Sequence, residues 1–222
     1  MRLPALALIL GLSPVAATAC GVELVLAMDV SRSVVNAEYD LQMGGLAAAF
    51  RHPEVVEAIG WVPGGVMASV TEWSGARSQA QTVGWRELKS PESVAAFATE
   101  IETTRRQFFG RFTAVGEALF HANKISATNP RVCQRRVIDI SGDGKSNRGR
   151  EPGPISVALA ANGVTINALV IKGAKPDPEE YYLQNVINGP GAFVEVVDRF
   201  EDYETAMTRK LLRELSPSMA AK

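Results

Sequence analysis

Short apolar runs of the kind that form buried strands alternate along this chain with segments of helical periodicity, and that alternation restricts it to few architectures. Val22 to Met28, Val66 to Trp73, Arg135 to Ser141, Val164 to Ile171 and Ala192 to Val197 read as strands. Such continuous apolar runs suit strands covered on both faces. Gln79 to Arg86 reads as an antiparallel return at the sheet edge. Between them lie Val34 to Phe50, in which Leu41, Leu46 and Phe50 mark an apolar stripe, and a possible further turn at Pro53 to Ile59. A helix opens at Ser90-Pro91, an N-cap residue followed by a proline at the first helical position, and runs to about Thr104. Others span Thr113 to about Ala127, Pro154 to Asn162, the stretch opened by Asp177-Pro178, and Glu201 to Leu215. The expectation is an α/β fold: a doubly wound, Rossmann-like, mainly parallel sheet of about six strands with one antiparallel edge strand and helices on both faces.

The first residues have a different character. Arg2 is a short positive region, Leu3 to Leu12 is an apolar run too short to span a bilayer, and Ala17-Thr18-Ala19 has the small-x-small form of a cleavage site. The expected organisation is therefore a signal peptide over 1–19, one domain over 20–215, and a disordered tail over 216–222. Cleavage near Ala19 would yield a secreted or periplasmic product. No later run is long and apolar enough for a transmembrane helix. The formal charge of -1 and pI near 6.2 lack the basic footprint of nucleic-acid binding or of a polybasic membrane surface.

Hard oxygen donors stand just beyond the strand ends. Asp29-Val30-Ser31-Arg32-Ser33 follows the first strand, and alternate residues of such a turn can point one way, so Asp29, Ser31 and Ser33 can converge. Asp143-Gly144 follows the Val137 to Ile140 strand, and Thr113 sits where a loop enters a helix. Two carboxylates and three hydroxyls suit Mg²⁺, or Mn²⁺ or Ca²⁺; zinc would favour Cys and His. Sites beyond the carboxyl ends of parallel strands are where open α/β sheets bind ligands. Taken singly, Asp29 or Ser33 is more simply a helix N-cap.

Asp-x-Ser-x-Ser, a threonine before x-x-Gly-x-Ala-Leu, and Asp-Gly after a buried strand together resemble the metal-ion-dependent adhesion site of von Willebrand factor type A domains. The resemblance covers roughly Val22 to Leu215. Glu72-Trp73-Ser74 and Ser141-Gly142-Asp143-Gly144 make the chain look closest to a bacterial family, domain of unknown function 1194. Arg32 stands where many family members carry glycine. The resemblance implies a metal held by Asp29, Ser31, Ser33, Thr113 and Asp143, and a protein partner whose acidic side chain completes the coordination. It also makes parallel neighbours of the two aspartate-bearing strands. Cys20 and Cys133, nearly equidistant from the site, would then pair as a disulfide after export; lipid attachment at Cys20 competes, although Ala17-Thr18-Ala19 lacks the usual leucine.

Arg32, Arg111, Lys145 and Arg148 form the expected partner-binding rim, with Arg105, Arg106 and Arg150 in the same loops. Such a rim would steer an acidic partner. Phe108, Phe109, Phe112 and Trp73 are either contacts or packing. Catalytic machinery is hard to assemble: Gly144-Lys145-Ser146 lacks the upstream glycine of a phosphate loop, since Asp139 stands there, and His52 and His121 have no triad partners. The expectation is a non-enzymatic adhesion-type module. The alternatives are a metal-dependent phosphoester hydrolase and a structural domain whose metal only orders the loops.

Overall fold

A computed structural model describes residues 19–173 and 177–216, so nearly all of the expected signal peptide and the tail beyond Ser216 lie outside the described residues. The elements run β1 (Cys20–Asp29), α1 (Asn36–Arg51), α2 (Pro53–Trp61), β2 (Val66–Trp73), β3 (Gln79–Leu88), α3 (Pro91–Thr103), α4 (Val115–Ser126), β4 (Cys133–Gly142), α5 (Pro152–Ala161), β5 (Val164–Ile171), α6 (Glu179–Asn185), β6 (Val194–Val197) and α7 (Tyr203–Leu215). A short 3-10 turn, Phe200–Asp202, leads into α7.

The six strands form one sheet in the order β3-β2-β1-β4-β5-β6. All neighbours are parallel except β2 and β3. This is the doubly wound order, and the strand order reverses between β1 and β4, where crossovers diverge and leave a crevice. All ten residues of β1 are buried. Their side chains alternate: Leu24, Leu26 and Met28 pack with α1, α3 and α7, whereas Val25 and Ala27 face α4. Two cores on opposite sheet faces result.

Cys20 pairs directly with Cys133 in the β1–β4 register, and the two form a disulfide with Cα atoms 4.3 Å apart. The same register carries on to Met28 opposite Ser141, so Asp29 and Asp143 emerge side by side at the other end. Pro53 at the first helical position extends the expected turn into a full helix, α2. One core expectation fails. Leu41 is 40% exposed, while Leu46 and Phe50 on the same helix are buried. Leu41 faces a cleft beside Asp143 rather than the sheet. Among the described residues no helix is long and apolar enough to cross a membrane.

Candidate metal centre

The carboxyl ends of β1 and β4 deliver Asp29 and Asp143 into the crevice, and the loop behind Asp29 folds back over it. Ser31 N–H donates to Asp29 Oδ1 at 2.7 Å. Ser31 Oγ lies 3.1 Å from Ser33 Oγ, and Ser33 Oγ donates to Asp143 Oδ1 at 2.8 Å. Asp29, Ser31, Ser33 and Asp143 are thus one connected cluster of oxygens. Thr113 is buried against the Asp143–Asn147 loop. Its N–H donates to Asn147 Oδ1 at 2.9 Å, and Asn147 N–H donates to Thr113 O at 2.8 Å. A methyl group placed on Gly144 would stand 4.0 Å from Thr113 Oγ1. Four of the five residues singled out from the sequence therefore form one cluster, and the fifth, Thr113, is held beside it at the same end of the sheet by the Asp143–Asn147 loop.

One oxygen of this cluster has no counterpart. Asp29 Oδ2 is buried and has no hydrogen-bond donor. Burial first, then the adjacent Asp143 carboxylate, raises the Asp29 pKa well above the carboxylate range, against the Ser31 bonds and the more distant Arg106. Burial also raises Asp143, against the Ser33 bond that holds it down. Two buried carboxylates without a cation repel each other and retain protons. Among the described residues no three His, Cys, Asp or Glu side chains converge; the donors here are two carboxylates and hydroxyls.

The surrounding residues hold this arrangement rigid. Gln42 Nε2 donates to Asp29 O at 3.1 Å, and Arg106 Nη2 donates to Val30 O and Ser31 O at 2.9 and 3.1 Å. Arg106 is therefore a strap across the Asp29–Ser33 loop. It is flanked by the Tyr39 and Phe109 rings, 5.6 and 5.1 Å from its guanidinium carbon. Glu72, buried at the end of β2, accepts from Tyr39 Oη and from Gln107 N–H, each at 2.7 Å, and so anchors the loop that leads to Thr113. Ser74 Oγ and Ser74 O hold the same loop through Phe112 O and Ala114 N–H. Two glycines admit close approaches. A Cβ on Gly142 would lie 2.3 Å from Tyr182 Oη and 3.3 Å from Asp29 Oδ2; one on Gly116 would lie 2.2 Å from Arg150 O. Tyr182 and Trp73, both fully buried, floor the site, and neither Tyr182 Oη nor Trp73 Nε1 has a partner among the described residues.

Of the basic residues, Arg32, Arg111 and Arg148 are exposed and Lys145 is half-buried. Arg148 lies over the Phe112 ring at 4.5 Å and Lys145 over Tyr181 at 5.8 Å. Arg150 pairs with Glu117 at 2.8 Å. The placements of Arg106, Asn147 and Tyr182 have no local signature, because each is set against residues distant in the chain.

A family model described as "Protein of unknown function (DUF1194)" matches residues 19–219, nearly the whole described chain. The chain belongs to the DUF1194 family. No curated protein matches the sequence. Solved structures place this DUF1194 chain in the von Willebrand factor type A fold. Proximal thread matrix protein 1 from the mussel byssus superposes with a TM-score of 0.66 at 19% identity, covering 88% of this chain and 48% of that one. A von Willebrand factor type A protein from Catenulispora acidiphila gives 0.59 at 16% identity, covering 91% and 43%. The vWF domain of the type V pili tip protein Mfa5 from Porphyromonas gingivalis gives 0.57 at 10% identity, covering 92% and 99%. The DUF1194 chain thus spans about half the length of the mussel protein. A second structure of that mussel protein is described as having a zinc-occupied MIDAS motif (TM-score 0.64, 19% identity, 90% and 48% covered).

Proposed function

We propose that this chain is an exported, non-enzymatic adhesion module that holds one divalent cation through Asp29, Ser31, Ser33, Thr113 and Asp143 and binds a partner protein by an acidic side chain. The observation that carries the reading is Asp29 Oδ2, a buried carboxylate oxygen with no donor, set in a cluster of oxygens and beside a second carboxylate. A cation would satisfy that oxygen and cancel the repulsion between Asp29 and Asp143. Oxygen donors favour Mg²⁺, Mn²⁺ or Ca²⁺. The zinc in the mussel relative's motif makes zinc a necessary fourth ion to test. A bound ion would supply a positive centre for an outside carboxylate; Asp29, Ser31, Ser33, Thr113 and Asp143 would hold it, and Gln42 and Arg106 keep the Asp29–Ser33 loop in place. Arg32, Arg111, Lys145 and Arg148 attract the acidic partner. The pilus-tip and byssus relatives support an extracellular binding role. The Cys20–Cys133 disulfide fits an oxidising compartment, as does cleavage near Ala19.

Calorimetric titration of residues 20–222 with the four ions tests the reading. Saturable one-to-one binding that disappears in Asp29→Ala is expected. Absence of binding by the intact protein at neutral pH overturns it.

A further inference from the structure

Three ionisable side chains outside the candidate metal centre are buried between α7 and the sheet. Asp139 on β4 is 1% exposed, and Lys210 and Glu214, one turn apart on α7, are 0% and 3% exposed. Lys210 Nζ lies 2.7 Å from Asp139 Oδ1 and 2.5 Å from Glu214 Oε1. Asn167 Nδ2 also donates to Glu214 Oε1 at 2.7 Å. Neither Asp139 oxygen receives a well-directed hydrogen bond, and Glu214 Oε2 has no donor. Lys210 and Asp139 thus stand as a close buried ion pair, in a geometry that leaves neither Asp139 oxygen with a fully formed hydrogen bond.

With all three ionised, this dry pocket would hold a net negative charge, an arrangement burial strongly disfavours. Burial and then the Glu214 carboxylate push the Asp139 pKa up to about 7, against the pull of Lys210. A neutral acid at Asp139 lowers that cost. The other groups facing the cluster are Tyr203, whose Oη lies 2.8 Å from Ser141 Oγ, and Arg135, whose Nη1 donates to Glu214 O at 3.0 Å. The Phe193 ring stands 5.4 Å from Lys210 Nζ.

We propose that Lys210 and Asp139 condense into an intramolecular amide, with Glu214 as the proton carrier. The site offers an electrophilic acid, an amine and a base in mutual contact, the constellation required for acyl transfer. Lys210 Nζ first gives a proton to the Glu214 carboxylate. Its lone pair then attacks Asp139 Cγ and the carbonyl π electrons move to oxygen. A second Nζ proton passes through Glu214 to the departing hydroxyl, the Cγ–O bond breaks, and water leaves. Three protons on the ammonium and one on Asp139 become one on the amide, two on water and one on Glu214. No oxidant or co-reactant enters, and the buried ion pair is replaced by neutral groups. Positioning of this kind is equivalent to effective concentrations of roughly 10⁵–10⁸ M, enough to drive a reaction that free amines and acids do not undergo in water. Glu214 also lines a cleft of about 610 Å³ with Asn167 and Phe193, which gives the water an exit.

The step needs no metal and is tested apart from it. Intact mass spectrometry of the full exported chain, unfolded and with its disulfide reduced, is expected to show a mass one water below that of its sequence. Tryptic digestion should then join Val137–Lys145 to Lys210–Arg213, with cleavage after Lys210 blocked. Lys210→Arg and Glu214→Gln, checked for folding by circular dichroism, should return to the sequence mass. An intact chain at full sequence mass overturns the proposal, leaving a buried ion cluster. So does a water loss confined to Val137–Lys145 alone, which is the signature of ring closure at Asp143-Gly144. Cross-linking that persists in Glu214→Gln removes Glu214 from the step.

Discussion

Asp29 carries two opposed demands: it is buried among strand ends, yet one of its oxygens has no donor. Its folded pKa lies above its unfolded value, so the native state binds more protons there than the unfolded chain. In the metal-free protein this contribution to stability is fully present below the unfolded carboxylate pKa and is lost as pH rises through the raised one. Thermal unfolding in excess chelator should therefore show a melting temperature that falls from mildly acidic to neutral pH, and Asp29→Asn should flatten that slope. With cation present the trend reverses, because protons compete for the same oxygens and binding weakens as pH drops. A slope unaltered by Asp29→Asn would mean the carboxyl does not hold its proton as described. At the same scale, Gly142→Ala places a methyl group against Tyr182 Oη and should destabilise the fold by about 1–3 kcal/mol. Adding Tyr182→Phe removes the atom it strikes. Chemical denaturation of the double variant should recover part of the loss, and no recovery would assign the cost to Asp29 instead.

Elements were legible in the sequence where burial alone decided them. Val66–Trp73 and Val164–Ile171 form strands over the expected residues, because each is a short, mostly apolar and β-branched-rich run preceded by a glycine. Leu41 misled because helical spacing reports a stripe, not what the stripe faces. Asp29, Ser31 and Ser33 were legible as a group because one turn contains them, and their meeting with Asp143 follows from strand order. The strap of Arg106 was not, since its acceptor at Val30 lies 76 positions away. Nor was the Asp139–Lys210–Glu214 cluster: Val137-Ile138-Asp139-Ile140 reads as an ordinary strand until α7 is laid across it. The disulfide belongs to this scale too. It joins β1 and β4 at the end opposite Asp29 and closes a loop of sequence separation 113. Cys20→Ser with Cys133→Ser should reduce stability by about 2–4 kcal/mol. Cation affinity, measured by the same calorimetry, should stay unchanged, because roughly 30 Å of strand separates the two ends. A large loss of affinity would show that register at one end governs the other.

For the whole molecule, the distribution of charge matters more than its sum. A chain of formal charge -1 gathers Arg32, Arg111, Lys145 and Arg148 into the loops around one end of the sheet. Association with an acidic partner should slow with added salt, and Arg32→Glu with Arg111→Glu should lower the on-rate about tenfold at low ionic strength. Stopped-flow mixing across a salt series separates this from an effect on dissociation; a rate insensitive to both would remove the rim from recognition.

The central strand β4 begins at Cys133, passes Asp139, and ends one residue before Asp143. A tug delivered at the Asp29–Asp143 end along the axes of β1 and β4 would load their ladder lengthwise, so that its rungs resist together instead of parting one by one. At the far end the sulfur bridge stops the two strands from sliding past each other. Were a partner bound at Asp29 and Asp143 as proposed, β1 and β4 would act as a short tether, stiffer along the strands than across them.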